Sequence, residues 1–71
     1  MKTEIYNAYQ NACDCLYYGI SKGTWNTSGV EDYNVCYEIW QAAKNDLAEN
    51  NSDRPYYIPS EKTKQILEKL Y

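Results

Sequence analysis

Apolar residues in this 71-residue sequence return at three- and four-residue steps in three segments, separated by two stretches rich in Gly, Thr, Asn, Ser and Pro. A repeat near 3.6 is the signature of a helix with one buried face. Nothing competes as a strand: Tyr56-Tyr57-Ile58 is short and flanked by prolines, which cannot donate to a sheet ladder. The expected architecture is all-α, a single three-helix domain over residues 1–71, with helices at about 4–21, 30–49 and 60–71. A chain of this length buries only ~60% of the surface its unfolded form exposes. It has no room for a nucleotide-binding α/β domain, a barrel or a two-domain cleft.

In the first segment Ile5, Ala8, Tyr9, Ala12, Leu16 and Ile20 share one face, opposite Asn7, Gln10, Asn11 and Asp14. Ser21-Lys22-Gly23 is expected to end this helix, with glycine in the left-handed conformation. Residues 23–29 have loop composition. Ser28-Gly29-Val30-Glu31 reads as a capping box for the second helix. There Tyr33, Cys36, Trp40, Ala43 and Leu47 form an apolar stripe, and Asn50-Asn51-Ser52-Asp53 stops it. Ser60 is the expected N-cap of the third helix, with Glu61 complementing its dipole. Thr63, Ile66, Leu67 and Leu70 make its inner stripe, and Lys64–Glu68 and Glu61–Gln65 are expected outer-face pairs.

The chain has three cysteines and no histidine. Cys13-x-Cys15 with a lone Cys36 lacks the paired spacing of a zinc site, so these thiols are expected as small buried filler. No metal and no cofactor is expected. Without histidine, acid–base chemistry would fall to carboxylates, lysines, cysteines or tyrosines. These are scattered over helix surfaces, and no Gly-rich phosphate cradle or nucleophile elbow is present, so the expectation is a protein that is not an enzyme. The longest apolar run is a few residues, too short for a membrane span. The start, Met-Lys-Thr-Glu-Ile-Tyr-Asn, lacks the apolar centre of a secretion signal. The expected location is cytoplasmic, where a disulfide is disfavoured.

The net charge is -3, and the acidic excess lies in residues 1–50, which hold seven carboxylates against three lysines. Proteins that track phosphates need a clustered basic face, so direct nucleic-acid binding is disfavoured. An acidic surface favours a basic protein partner, mainly through steering. On the second helix Val35, Ile39 and Ala42 form a second apolar line framed by Glu31, Asp32, Glu38, Asp46 and Glu49. That line is either an interface for a basic partner or the wide arc of a middle helix touching two neighbours. Trp25, in a polar loop, is either a lid on the core or an exposed anchor. Of the nine tyrosines, Tyr9 and Tyr33 are expected at the core or its edge and Tyr6, Tyr17 and Tyr37 at boundaries. Packing explains Tyr18, Tyr56 and Tyr57 least.

The run Ser52-Asp53-Arg54-Pro55-Tyr56-Tyr57-Ile58-Pro59 resembles the Ser-Asp-x-x-Tyr-Tyr-Pro segment of the nuclease-colicin immunity proteins. Those are small acidic helical proteins that bind a toxin nuclease and silence it. The order of elements also agrees: two helices, the tyrosine pair, a final helix. The resemblance implies that Asp53, Tyr56 and Tyr57 are anchoring contacts, with Glu31, Asp32 and Glu38 adding electrostatic choice of partner. Pro55 stands where that family has a short continuous helix, and the second proline comes one residue later. In size and composition the chain is also similar to small phage or mobile-element inhibitors such as anti-CRISPR proteins.

The expected function is a non-enzymatic inhibitor that covers a basic, nucleic-acid-handling partner, a toxin nuclease or a CRISPR-type effector. Glu31, Glu38, Asp46 and Glu49 would steer; Val35, Ile39, Tyr18, Trp25, Asp53, Tyr56 and Tyr57 would anchor. One alternative is a structural homodimer mated through the second apolar line. Another is a nucleic-acid module using tyrosines with Lys62, Lys64 and Lys69.

Overall fold

The computed structural model describes residues 1–50 and 57–70, with Asn50 described by its backbone alone. These residues form helices α1 (Thr3–Tyr18), α2 (Tyr33–Asn50) and α3 (Glu61–Glu68), with a 3-10 turn at Lys22–Thr24 and no strand. The all-α, three-helix architecture is thus the observed one. The principal packing is α1 against α2, with α3 set against α2.

The core takes Ile5, Ala8, Tyr9, Ala12 and Cys13 from α1, Ile39, Ala42 and Ala43 from α2, Leu67 from α3, and Val30 and Tyr57 from the connections. Four alanines in this set leave room for the large rings of Tyr9 and Tyr57. Ile5, Ile39 and Leu67 are fully buried, and each such side chain contributes roughly 1.5–3 kcal/mol.

Helix ends depart from expectation where two residues compete for one role. α1 stops at Gly19 (φ 68°), before the expected Gly23. The Gly19 amide donates to Leu16 O at 3.4 Å and the Ile20 amide to Cys15 O at 2.8 Å, which closes a Schellman turn. Ile20 consequently leaves the apolar stripe and is exposed. The expected capping box at Ser28 does not form. Ser28 (φ 57°) and Gly29 (φ 90°) are instead the centre of a tight turn closed by Val30 N–H to Thr27 O at 3.0 Å. Asp32 caps α2: its Oδ1 accepts from the amides of Asn34 at 2.9 Å and Val35 at 3.2 Å. Ser60 does cap α3, accepting from Thr63 N–H at 3.2 Å. That helix ends at Glu68, and Tyr71 lies outside the described residues.

The long connection between α1 and α2 is pinned to α1. Trp25 Nε1 donates to Ala8 O and Asn11 Nδ2 to Asn26 O, both at 3.0 Å. Gln10 Nε2 donates to the Tyr57 carbonyl, which fixes the approach to α3.

Candidate protein-binding face

The framed line on α2 divides when its side chains are placed. Ile39 and Ala42 are core residues and Val35 is half-buried against the core. Asp46, expected as a steering charge, is only 2% exposed. The wide arc of α2 thus faces its neighbours, and the line offers no mating stripe for a homodimer. Asp46 Oδ2 accepts from Tyr9 Oη at 2.7 Å and Ser60 N–H at 3.2 Å. Its Oδ1 accepts from Ser60 Oγ at 2.9 Å and Thr63 Oγ1 at 2.7 Å. This carboxylate joins all three helices. The signal was present in the spacing, since seven residues is nearly a whole number of turns and sets Asp46 beside Ile39.

Two further expected contacts also move. Tyr57 is 1% exposed and belongs to the core, so its side chain presents no surface to a partner. Trp25 is the lid rather than an exposed anchor: its ring lies 5.1 Å from that of Trp40. Asp53 and Tyr56 lie outside the described residues. Glu31, Asp32, Glu38 and Glu49 are exposed. Tyr18 is exposed and stacks edge-on against Tyr17 at 5.2 Å.

Tyr33 is the largest departure. Expected at the core edge, it is 76% exposed, because Val30 arrives from the preceding turn and fills the core space at this end of α2. One turn on, Tyr37 is 48% exposed. On a helical wheel the two rings stand about 120° and 160° from Ile39, a direction that leads away from the core. Hydropathy alone missed this pair because tyrosine suits both a core edge and a surface. The angle from Ile39 is the signal that separates the two.

The resulting outer face of α2 carries Tyr33 and Tyr37 on one side and Glu38 and Glu49 on the other, with Glu31 and Asp32 at its N-terminal end. Lys22 of the 3-10 turn reaches over it, its Nζ 5.8 Å from the Tyr37 ring centre and 5.7 Å from that of Trp40.

The thiols lie inward. Cys13 and Cys15 are buried and Cys36 is half-buried, all as free cysteines. Burial pushes the Cys13 thiol from 9.0 up to about 12. Burial also raises Cys15 and Cys36; Asp14 adds to the first and Asp32 to the second. Tyr9 is raised as well, by burial and then by its bond to Asp46. Among the described residues no three His, Cys, Asp or Glu side chains converge as metal ligands, and no helix is long and apolar enough to cross a membrane. On α3 Lys62 is exposed beside Glu61, Lys69 is exposed just after Glu68 at the helix end, and Lys64 is 4.0 Å from Glu61. That helix mixes both signs of charge. No family model, curated protein or solved structure matches the chain.

Proposed function

We propose that the protein is a non-enzymatic binding module that covers a basic, nucleic-acid-handling protein, and that it does so with the outer face of α2. The observation that carries this is the exposure of Tyr33, one turn from exposed Tyr37, in the segment that also exposes Glu31, Asp32 and Glu38. A monomer gains little from a tyrosine ring held in water at the start of a helix. Tyrosine is enriched at interfaces, where its ring supplies area and its hydroxyl a hydrogen bond. Carboxylates around it steer a cationic partner and reject an anionic one. This reading keeps Glu31, Glu38 and Glu49 as steering charges and makes Tyr33 and Tyr37 the anchors, in place of Ile39 and Tyr57. A colicin-type nuclease domain and a CRISPR-type effector are the partners to try first, on the resemblances of segment and of composition.

The test is titration of the intact chain against a panel of purified basic nucleases and effectors, with duplex DNA as a separate titrant. The expected result is a complex with one basic protein, weakened about tenfold by the double reversal E38K/E49K and weakened further by high salt. Tyr33→Ala should weaken it at every salt concentration, since a buried ring is not screened. Binding unchanged by E38K/E49K and by salt would count against the reading, as would preferential binding to DNA.

A further inference from the structure

The charges on the outer face of α2 are sorted by edge. At about 100° per residue, Lys44 points about 20° from Tyr33 and about 20° from Tyr37, so the three share one edge of the helix. Glu38 and Glu49 point about 120° and about 140° round from Lys44. Asn34, Gln41 and Asn45 fill the ground between these two edges and carry no charge. Lys44 follows Tyr37 by seven residues, and its stem leans back toward the helix N-terminus, in the direction of that ring. It is exposed, and among the described residues it has no ion pair, hydrogen bond or ring contact. Lys22 adds a second positive charge to this edge, its Nζ 5.8 Å from the Tyr37 ring centre.

We propose that the Tyr33–Tyr37–Lys44 edge receives an acidic side chain of the protein partner, so that the surface this face fits is a basic patch bordered by a carboxylate. This rests on the binding reading of the α2 face and adds the charge pattern that the face selects. A partner that covers Tyr33 and Tyr37 also covers Lys44, whose direction lies between theirs. An ammonium has donors and no acceptor, and covering it without a counter-charge forfeits its hydration for nothing in return. A uniformly basic surface would add like-charge repulsion from Lys44 and Lys22. A carboxylate removes both penalties, and a tyrosine hydroxyl can donate to the same oxygens. On the other edge Glu38 and Glu49 call for the cations that the binding reading already assigns. Two edges of opposite sign discriminate among basic proteins by the placement of their charges rather than by their total. A nucleic acid fits this pattern less well. Its phosphates recur along the whole strand, two lysines do not make a basic track, and Glu38 and Glu49 repel what lies beyond them.

The test titrates the full chain with two capped helical peptides of equal length, each with leucines along one face. One carries arginine on both flanks of that face; the other carries arginine on one flank and glutamate on the other. Total charge alone favours the all-arginine peptide, since the net charge of the protein is -3. The expected result is the opposite: the mixed peptide binds about threefold more tightly and moves the NMR signals of Tyr33, Tyr37 and Lys44. Lys44→Glu should reverse that order. Lys62→Glu makes an equal change of charge on α3, which docks at Asp46 on the far side of α2 from Lys44, and should leave the order as it is. A parent chain that prefers the all-arginine peptide, or an order unchanged in Lys44→Glu, would overturn this inference and leave the binding face standing. E38K/E49K should weaken both peptides; if neither weakens, the reading of the face itself fails. Oligo-thymidylate bound at Lys44 more tightly than the mixed peptide would overturn a protein carboxylate as the occupant. Binding of neither peptide would count against both edge and face.

Discussion

Asp46 places a carboxylate where the pattern of α2 calls for an apolar residue. Moving a carboxylate out of water costs several kcal/mol unless donors replace the lost hydration. Here Tyr9 supplies one donor from α1, Thr63 another from α3, and Ser60 two from the α3 cap. Together they engage both carboxylate oxygens. Asp46→Ala would leave them facing a void, and it is expected to destabilise the fold by about 3 kcal/mol or more. That is a large share of the roughly 4–10 kcal/mol expected for a domain of this length. Asp46→Asn keeps the volume but turns an amide N–H2 toward two of the donors, so it should also destabilise. Tyr9→Phe removes one bond while retaining the ring, and about 1 kcal/mol is expected. Urea unfolding of the three variants orders these effects. An Asp46→Ala midpoint equal to that of the parent would show that the network contributes nothing.

At the scale of the helix, the three elements were legible because a 3.6-residue apolar period survives local exceptions. Their ends were not, because each end is decided between nearby candidates by geometry that hydropathy does not record. Gly19 and Gly23 both suit a helix stop, and the first to close a Schellman turn wins. Ser28 and Asp32 both suit an N-cap; Ser28 is consumed by the turn at Gly29, which leaves the role to Asp32. Asp32→Ala should therefore cost about 1 kcal/mol, whereas Ser28→Ala should not show the loss of a cap. The comparison is made by thermal or urea unfolding, and equal cap-like losses at both positions would contradict the assignment. Tyr33 was misplaced at the same end of α2: it lies on the Trp40 and Leu47 edge of the helix, but Val30 fills the core there and leaves the ring exposed. The partners of Asp46 were illegible for a different reason. Its donors Ser60 and Thr63 lie 14 and 17 residues away, and their arrival depends on how α3 docks.

For the molecule as a whole, the buried groups that ionise at high pH define where stability must fail. Cys13 is fully buried and its thiol is held up to about 12, while Tyr9 is raised by burial and by Asp46. Cys15 and Cys36 are raised in the same direction. In the unfolded chain these groups lose protons near their ordinary values, 9.0 for cysteine and 10.0 for tyrosine. Above those values the unfolded state binds fewer protons than the native state, so the free energy of unfolding falls as pH rises. Stability from these groups is thus fully present below about pH 9 and is lost as the pH climbs toward the raised native values. Each group contributes at most about 1.4 kcal/mol per pH unit. Urea unfolding under reducing conditions between pH 8 and pH 11 should show a flat region followed by a steep decline. Cys13→Ala lowers the plateau by leaving a small void, yet it should flatten the decline by up to about one proton's slope. The slope, unlike the plateau, reports the thiol's ionisation and not its volume. A Cys13→Ala protein with the parent's full alkaline slope would mean that Cys13 ionises as readily folded as unfolded, contrary to its full burial on the inner face of α1.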